Sequence, residues 1–228
     1  MDLSREDQLK KRYDLLLSDI KEHKIVESVC PVAVSKYSPF SDIEILYNLG
    51  HRDFGENRIE SLKEKSLQAI DCGLDEIRWH FIGNIQSGKI KDISAIDNLV
   101  AIHSIEKIKH LRSFYAKVDK PIDFFIQFNT SGEEQKGGLI SLEELQSFND
   151  LIDSNKDSLL SFKGLMTMGK IRSENQLVDA RNCFFKLASL RDQIDSSLDL
   201  SMGMSSDYKV ALELGASHIR VGSSLFLS

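Results

Sequence analysis

Short apolar runs alternate with longer amphipathic stretches from one end of this chain to the other, and that alternation most narrows its fold. Eight strand-like runs can be counted, at residues 29–35, 53–56, 78–82, 99–103, 122–129, 162–166, 198–202 and 218–221. The stretches between them carry apolar residues at helical spacing. In residues 4–22, which precede the first run, Leu9, Tyr13, Leu16, Leu17 and Ile20 recur mostly at steps of three and four. Strands joined by helical crossovers form a parallel sheet. Eight of them in 228 residues favour closure into a single (β/α)8 barrel of the TIM type over an open doubly wound sheet. The helix ahead of the first run is then an extra N-terminal element.

Boundary residues support this reading. Ser4 with Asp7 forms a capping pair, Ser41 with Glu44 reads as a capping box, and that second helix should stop near Gly50. Ser141 with Glu144 and Ser173 with Gln176 open two more helices, and the last helix, residues 206–214, stops at Gly215. No linker, composition shift or sequence repeat marks a second domain, so residues 1–228 read as one.

Hydrophobic residues make up 41% of the chain and charged residues 28%, an ordinary balance for a soluble domain with a sizeable core. The net charge of −6 and a pI of about 5.6, with no dense basic run, argue against nucleic acid as a partner. Cys30, Cys72 and Cys183 lack metal-ligand spacing and read as buried free thiols of a reducing compartment. A charged N-terminus and the lack of any run of transmembrane length make the cytoplasm the expected location.

In such a barrel functional groups gather at the C-terminal strand ends, and phosphate sites favour the loops after the last two strands. Lys36 ends the apolar run 30–35 and is expected at the mouth of a buried strand, where a desolvated amine can condense with an aldehyde. Residues 202–207 and 220–224 follow the last two runs. They offer glycines, hydroxyls and backbone N–H groups, and the first leads into a helix N-terminus. Arg220 stands beside the second of these loops. Asn57 and Gln86 can hydrogen-bond a ligand, whereas His80 reads as a wall residue within its strand. His103 and Ser104 close the fourth run, Ser104 reading as a cap for the next helix, and Met166 and Met204 line the mouth. No Ser-His-Asp set, HExxH, Walker loop or carboxylate cluster for a metal is present in the sequence.

The segments Val32-Ala-Val-Ser-Lys36, Phe54-Gly-Glu-Asn57, Trp79-His-Phe-Ile-Gly83 with Gln86-Ser87, His103-Ser104, Gly164-Leu-Met166, Leu200-Ser-Met-Gly-Met-Ser205 and Ile219-Arg-Val-Gly222 occur in this order. Together they resemble the YggS/PROSC family, the pyridoxal phosphate homeostasis proteins, which are single-domain relatives of the alanine racemase barrel. The resemblance implies a fold-type III barrel, like the alanine racemase N-terminal domain, holding pyridoxal 5′-phosphate (PLP) as an internal aldimine on Lys36. Ser205, Gly222 and Ser223 would then hold the phosphate, Arg220 would face the pyridine nitrogen, Asn57 would lie near the ring and Met204 would border it. Family members often carry Lys-Thr-Lys-Pro where this chain has Lys36-Tyr37-Ser38-Pro39, and Gly-Pro-Leu-Gln where it has Gly83-Asn84-Ile85-Gln86. The common Gly-Thr after the arginine is Gly222-Ser223, which keeps a hydroxyl. With the neighbouring lysine absent, Lys136 is the remaining candidate for a second lysine near the mouth.

A cationic Arg220 would leave the pyridine nitrogen unprotonated and the cofactor a weak electron sink. Resemblance to alanine racemases implies a tyrosine base from a second domain, for which a chain ending at Ser228 leaves no room. The expectation is a monomeric PLP carrier with little turnover, exchanging PLP with dependent apoenzymes. Two alternatives stay open: a small PLP-dependent amino-acid racemase, and a class I aldolase using Lys36 as a Schiff base with a sugar phosphate.

Overall fold

The structure, a computed structural model, describes residues 3–170 and 174–227. Eight parallel strands close on themselves in chain order. They are β1 (Cys30–Val34), β2 (Asp53–Glu56), β3 (Arg78–Phe81), β4 (Leu99–Ile105), β5 (Ile122–Gln127), β6 (Leu160–Met166), β7 (Asp199–Met204) and β8 (His218–Val221). The helices are α1 (Arg5–His23), α2 (Phe40–Asn48), α3 (Ile59–Asp71), α4 (Ile90–Ser94), α5 (Ile108–Tyr115), α6 (Leu142–Asp153), α7 (Gln176–Ile194), α8 (Tyr208–Glu213) and α9 (Ser223–Phe226). Closure is made by β1, which pairs with β2 on one side and β8 on the other.

Strand alternation divides the side chains between two cores. Along β2, Asp53 turns inward to meet His80, while Phe54 turns outward to Trp79. The outer layer, between strands and helices, is apolar and holds most of the buried bulk, including Phe54, Trp79, Phe114, Phe124 and Phe184. The lumen is narrower and partly polar. It contains a small apolar cluster of Ala101, Phe125 and Met166 beside three histidines.

The extra helix has a structural task. β8 is followed by a helix of only four residues, too short to cover its side of the barrel, and α1 packs against α2, α8 and α9 to fill the place. Ser4 caps it as expected, its hydroxyl oxygen accepting the Asp7 N–H at 3.1 Å. Arg5 then pairs with the buried Asp42 of α2, with Nε 2.9 Å from Oδ1, and also donates to the Phe226 carbonyl at 2.7 Å. At the other end Asp19 accepts from the Tyr208 hydroxyl at 2.5 Å and from Lys209 at 2.9 Å.

Several boundaries differ from the sequence reading. β4 runs on to Ile105, so Ser104 is a strand residue whose hydroxyl donates to the Gly83 carbonyl; it caps no helix. β7 runs on to Met204, since Gly203 is in the strand at φ +93°, a conformation without steric penalty only for glycine. Ser41 is not a cap: Pro39 takes that position and α2 begins at Phe40. Asp207, not Ser206, precedes α8. Ser141 does occupy the N-cap of α6, although Glu144 reaches back to the Ile140 N–H. Gly50 and Gly215 adopt the left-handed conformation expected of helix stops. Ser173 lies outside the described residues. Cys183 is buried and Cys30 half-buried, but Cys72, at the end of the amphipathic α3, is exposed.

The loops after β2 and β3 touch backbone to backbone at Gly83, where a Cβ would stand 1.9 Å from the Asn57 carbonyl oxygen. Gly83→Ala must push these loops apart. It is expected to lower stability by about 2–3 kcal/mol in urea denaturation, and an unchanged midpoint would show that the loops move freely.

Candidate functional site

Register places the C-terminal ends of β7, β8, β1 and β2 side by side. Arg220 of β8 lies opposite Val32 of β1 and Met204 of β7, and Val34 of β1 lies opposite Gly55 of β2. The chain therefore delivers Lys36, Asn57, Met204, Ser205, Gly222 and Ser223 to one end of the barrel from four adjacent strands. Arg220 sits one residue before the end of β8, buried, just inside that mouth.

The two Gly-Ser loops converge on a single oxygen. Ser205 Oγ accepts the Gly222 N–H at 3.0 Å and the Ser224 N–H at 3.1 Å. Two backbone donors aimed at one point are an arrangement that an anion can accept from, and here the serine hydroxyl oxygen is the acceptor. Ser224 belongs to the loop expected to offer backbone N–H groups, although the resemblance named Ser223, which begins α9. Asp207 tightens the β7 loop by accepting the Met204 N–H at 2.6 Å. Burial pushes the Asp207 carboxyl up, against the pull of Arg220 and Lys136.

Lys36 departs from expectation. It is exposed on the turn after β1, its Nζ 5.1 Å from the centre of the Tyr37 ring. The expected burial fails because the strand ends at Val34 and the turn carries the lysine beyond the barrel rim. What is buried is the residue before it. Ser35 donates its hydroxyl to Glu56 Oε1 at 2.7 Å, and Lys65 of α3 bridges the same oxygen at 2.7 Å and the Ser35 carbonyl at 2.6 Å. This charged clamp anchors the lysine-bearing turn from the helix layer. Its only signal in the sequence was Glu56 within the strand-end motif. Asn57 lines a cavity of about 200 Å³ together with Phe81, Asn84, Gln86 and Lys89. Met166 is buried in the lumen cluster, and Met204 is half-buried at the mouth. Lys136 is not a free second amine. It is buried, 2.5 Å from Glu133 and from the Gly169 carbonyl.

Arg220 is the buried cation of the site. Nη1 donates to Ser201 Oγ at 2.6 Å and Nη2 to the Thr167 carbonyl at 2.7 Å, which commits two of its five donors. Burial pulls its pKa down to about 10, with Asp207 opposing, and the guanidinium stays charged at neutral pH. Below it lie His103, His80 and Asp53. Burial pushes the Asp53 carboxyl up, but hydrogen bonds from His80 and Arg78 outweigh this and hold it well below the usual carboxylate range. Cys30, Asp53 and His80 have ligand-type atoms within 4.8 Å of one another, a grouping hidden in the sequence. Arg78 engages both Asp53 oxygens, so the group is held as a hydrogen-bonded cluster.

Three imidazoles are kept neutral by burial. His51 is pushed down to about 4, His218 to about 3, and His103 well below its ordinary value. An unfolded chain would protonate them near pH 6.5, so it binds protons the folded chain refuses. Stability is present above that pH and falls as the pH drops towards the folded values. Each imidazole contributes up to about 1.4 kcal/mol per pH unit. Denaturant midpoints between neutral pH and about pH 4.5 should fall steeply; a flat profile would mean that these rings are solvated.

The family model for the alanine racemase N-terminal domain matches residues 18–228. A pyridoxal phosphate homeostasis protein of Schizosaccharomyces pombe is 39% identical, over 93% of this chain and 90% of its own. The human protein of the same description is 34% identical, over 86% of this chain and 74% of its own. Among solved structures, PipY of Synechococcus elongatus PCC7942 with PLP bound superposes with a TM-score of 0.77. It is 27% identical, over 96% of this chain and all of PipY.

Proposed function

The chain belongs to the alanine racemase N-terminal-domain family and, within it, to the pyridoxal phosphate homeostasis proteins, and from that premise we propose that it binds PLP at the barrel mouth and holds it in reserve. The observation that carries this reading is the convergence of the Gly222 and Ser224 N–H groups on Ser205, a ready place for a phosphate beside the turn that bears Lys36. A phosphate oxygen can replace the serine hydroxyl as their acceptor, with Ser205 and Ser223 adding hydroxyl donors. When bound, PLP supplies an aldehyde for an amine and a ring whose electron-withdrawing power depends on protonation of its nitrogen.

The residues of this chain do the rest. Lys36 offers the amine, from a turn fixed by the Ser35–Glu56–Lys65 clamp. Asn57 and Met204 border the ring. Arg220 presents a cation that keeps its own protons at neutral pH, so it donates a hydrogen bond to the ring nitrogen without protonating it. That favours retention over turnover. The reading takes the protein as a cytoplasmic monomer that exchanges PLP with dependent apoenzymes. Among the described residues no helix is long and apolar enough to cross a membrane.

The test is the absorption spectrum of the purified protein incubated with PLP, followed by borohydride reduction and peptide mass mapping. A yellow protein with a phosphopyridoxyl group on Lys36, and none in folded Lys36→Ala, is expected. A protein that stays colourless, or carries the group elsewhere, would overturn the assignment.

A further inference from the structure

The lumen contains a continuous hydrogen-bonded chain that the cofactor reading does not use. Arg220 Nη1 donates to Ser201 Oγ at 2.6 Å, which lies 2.7 Å from His103 Nδ1. His103 Nε2 lies 2.9 Å from His80 Nδ1, and His80 Nε2 lies 3.0 Å from Asp53 Oδ1. Arg78 closes the far end on both Asp53 oxygens, with its own side chain half exposed at the N-terminal end of the barrel. The links come from β8, β7, β4, β3 and β2 and cross the barrel from its mouth to its floor.

With a single proton on each imidazole, the two ends fix the direction of every link. A guanidinium can only donate and a carboxylate can only accept. Asp53 requires the proton on His80 Nε2, which leaves His80 Nδ1 as an acceptor. His103 must then carry its proton on Nε2, and its Nδ1 must accept from the Ser201 hydroxyl. That orients the Ser201 lone pairs towards Arg220. Neighbouring groups hold the imidazoles in place: Phe125 stacks on His103 at 4.5 Å between ring centres, and His218 lies 5.7 Å from His103 and 6.3 Å from His80.

We propose that His103, acting through Ser201 and oriented from behind by His80 and Asp53, is a positioning residue for Arg220. It forces the Ser201 hydroxyl to point away from Arg220, and so fixes where the guanidinium can stand at the mouth. The proposal rests on the reading that Arg220 faces the ring nitrogen of PLP.

Two measurements test it. Long-range ¹H–¹⁵N spectra of histidine-labelled protein without PLP should show His80 and His103 both neutral with the proton on Nε2. A proton on Nδ1 of His103, or a doubly protonated ring, would overturn the chain. This holds even if the wild type never binds PLP, the result that would sink the cofactor reading instead. The second compares two variants, each first shown to be folded. His103→Asn can keep an acceptor where Nδ1 stood, while His103→Leu removes it. His103→Leu should weaken PLP binding about tenfold, the loss of one buried hydrogen bond, and shift the absorption band of the bound cofactor. His103→Asn should stay near the wild type on both counts. Equal behaviour of the two variants would refute a positioning role.

Discussion

A guanidinium buried inside a barrel is tolerable only if its donors are answered, and the interior of this protein is organised around that demand. Arg220 cannot shed its proton at neutral pH, so the lumen supplies an oriented hydroxyl and a carbonyl. The hydroxyl in turn needs an acceptor, which His103 provides. The sequence of obligations runs down to Asp53 and out to Arg78. The same chain explains why a barrel that could pack its lumen with branched aliphatics carries His80 and His103 there instead. The polar column holds a charge at the mouth, and the apolar layer outside the strands provides the stability.

Around that charge the fold assembles its site from separate strand ends. β7 and β8 bring the two loops that meet at Ser205, and β1 brings Lys36 alongside them. The site's parts differ in how they are held. The loops at Ser205 are closed by hydrogen bonds from Gly222 and Ser224 and Arg220 is clamped from below, whereas the Lys36 side chain is exposed on its turn.

Much of this was legible in the chain. β2 and β8 fall where the apolar runs placed them, because short buried strands bounded by polar turns leave little room for error. Strand-end position places Arg220, Ser205 and Gly222 at the mouth, where they lie, while their roles towards a cofactor rest on the family resemblance. The lumen chain was not legible. Asp53, His80, His103 and Ser201 lie far apart in sequence, and whether strand residues meet depends on barrel stagger, which a linear pattern does not carry. The Glu56–Lys65 clamp escaped for the same reason, since it joins a strand to a helix face. Lys36 lies at the expected end of the barrel but not buried, because an apolar run says where a strand is, and not on which residue it ends.

The measurement that bears most directly on this account is a crystal structure of the protein with PLP bound. The phosphate is expected within hydrogen-bond reach of the Gly222 and Ser224 N–H groups and the ring nitrogen against Arg220, with Arg220 still bonded to Ser201. A phosphate seated elsewhere, or a ring nitrogen turned away from Arg220, would contradict it.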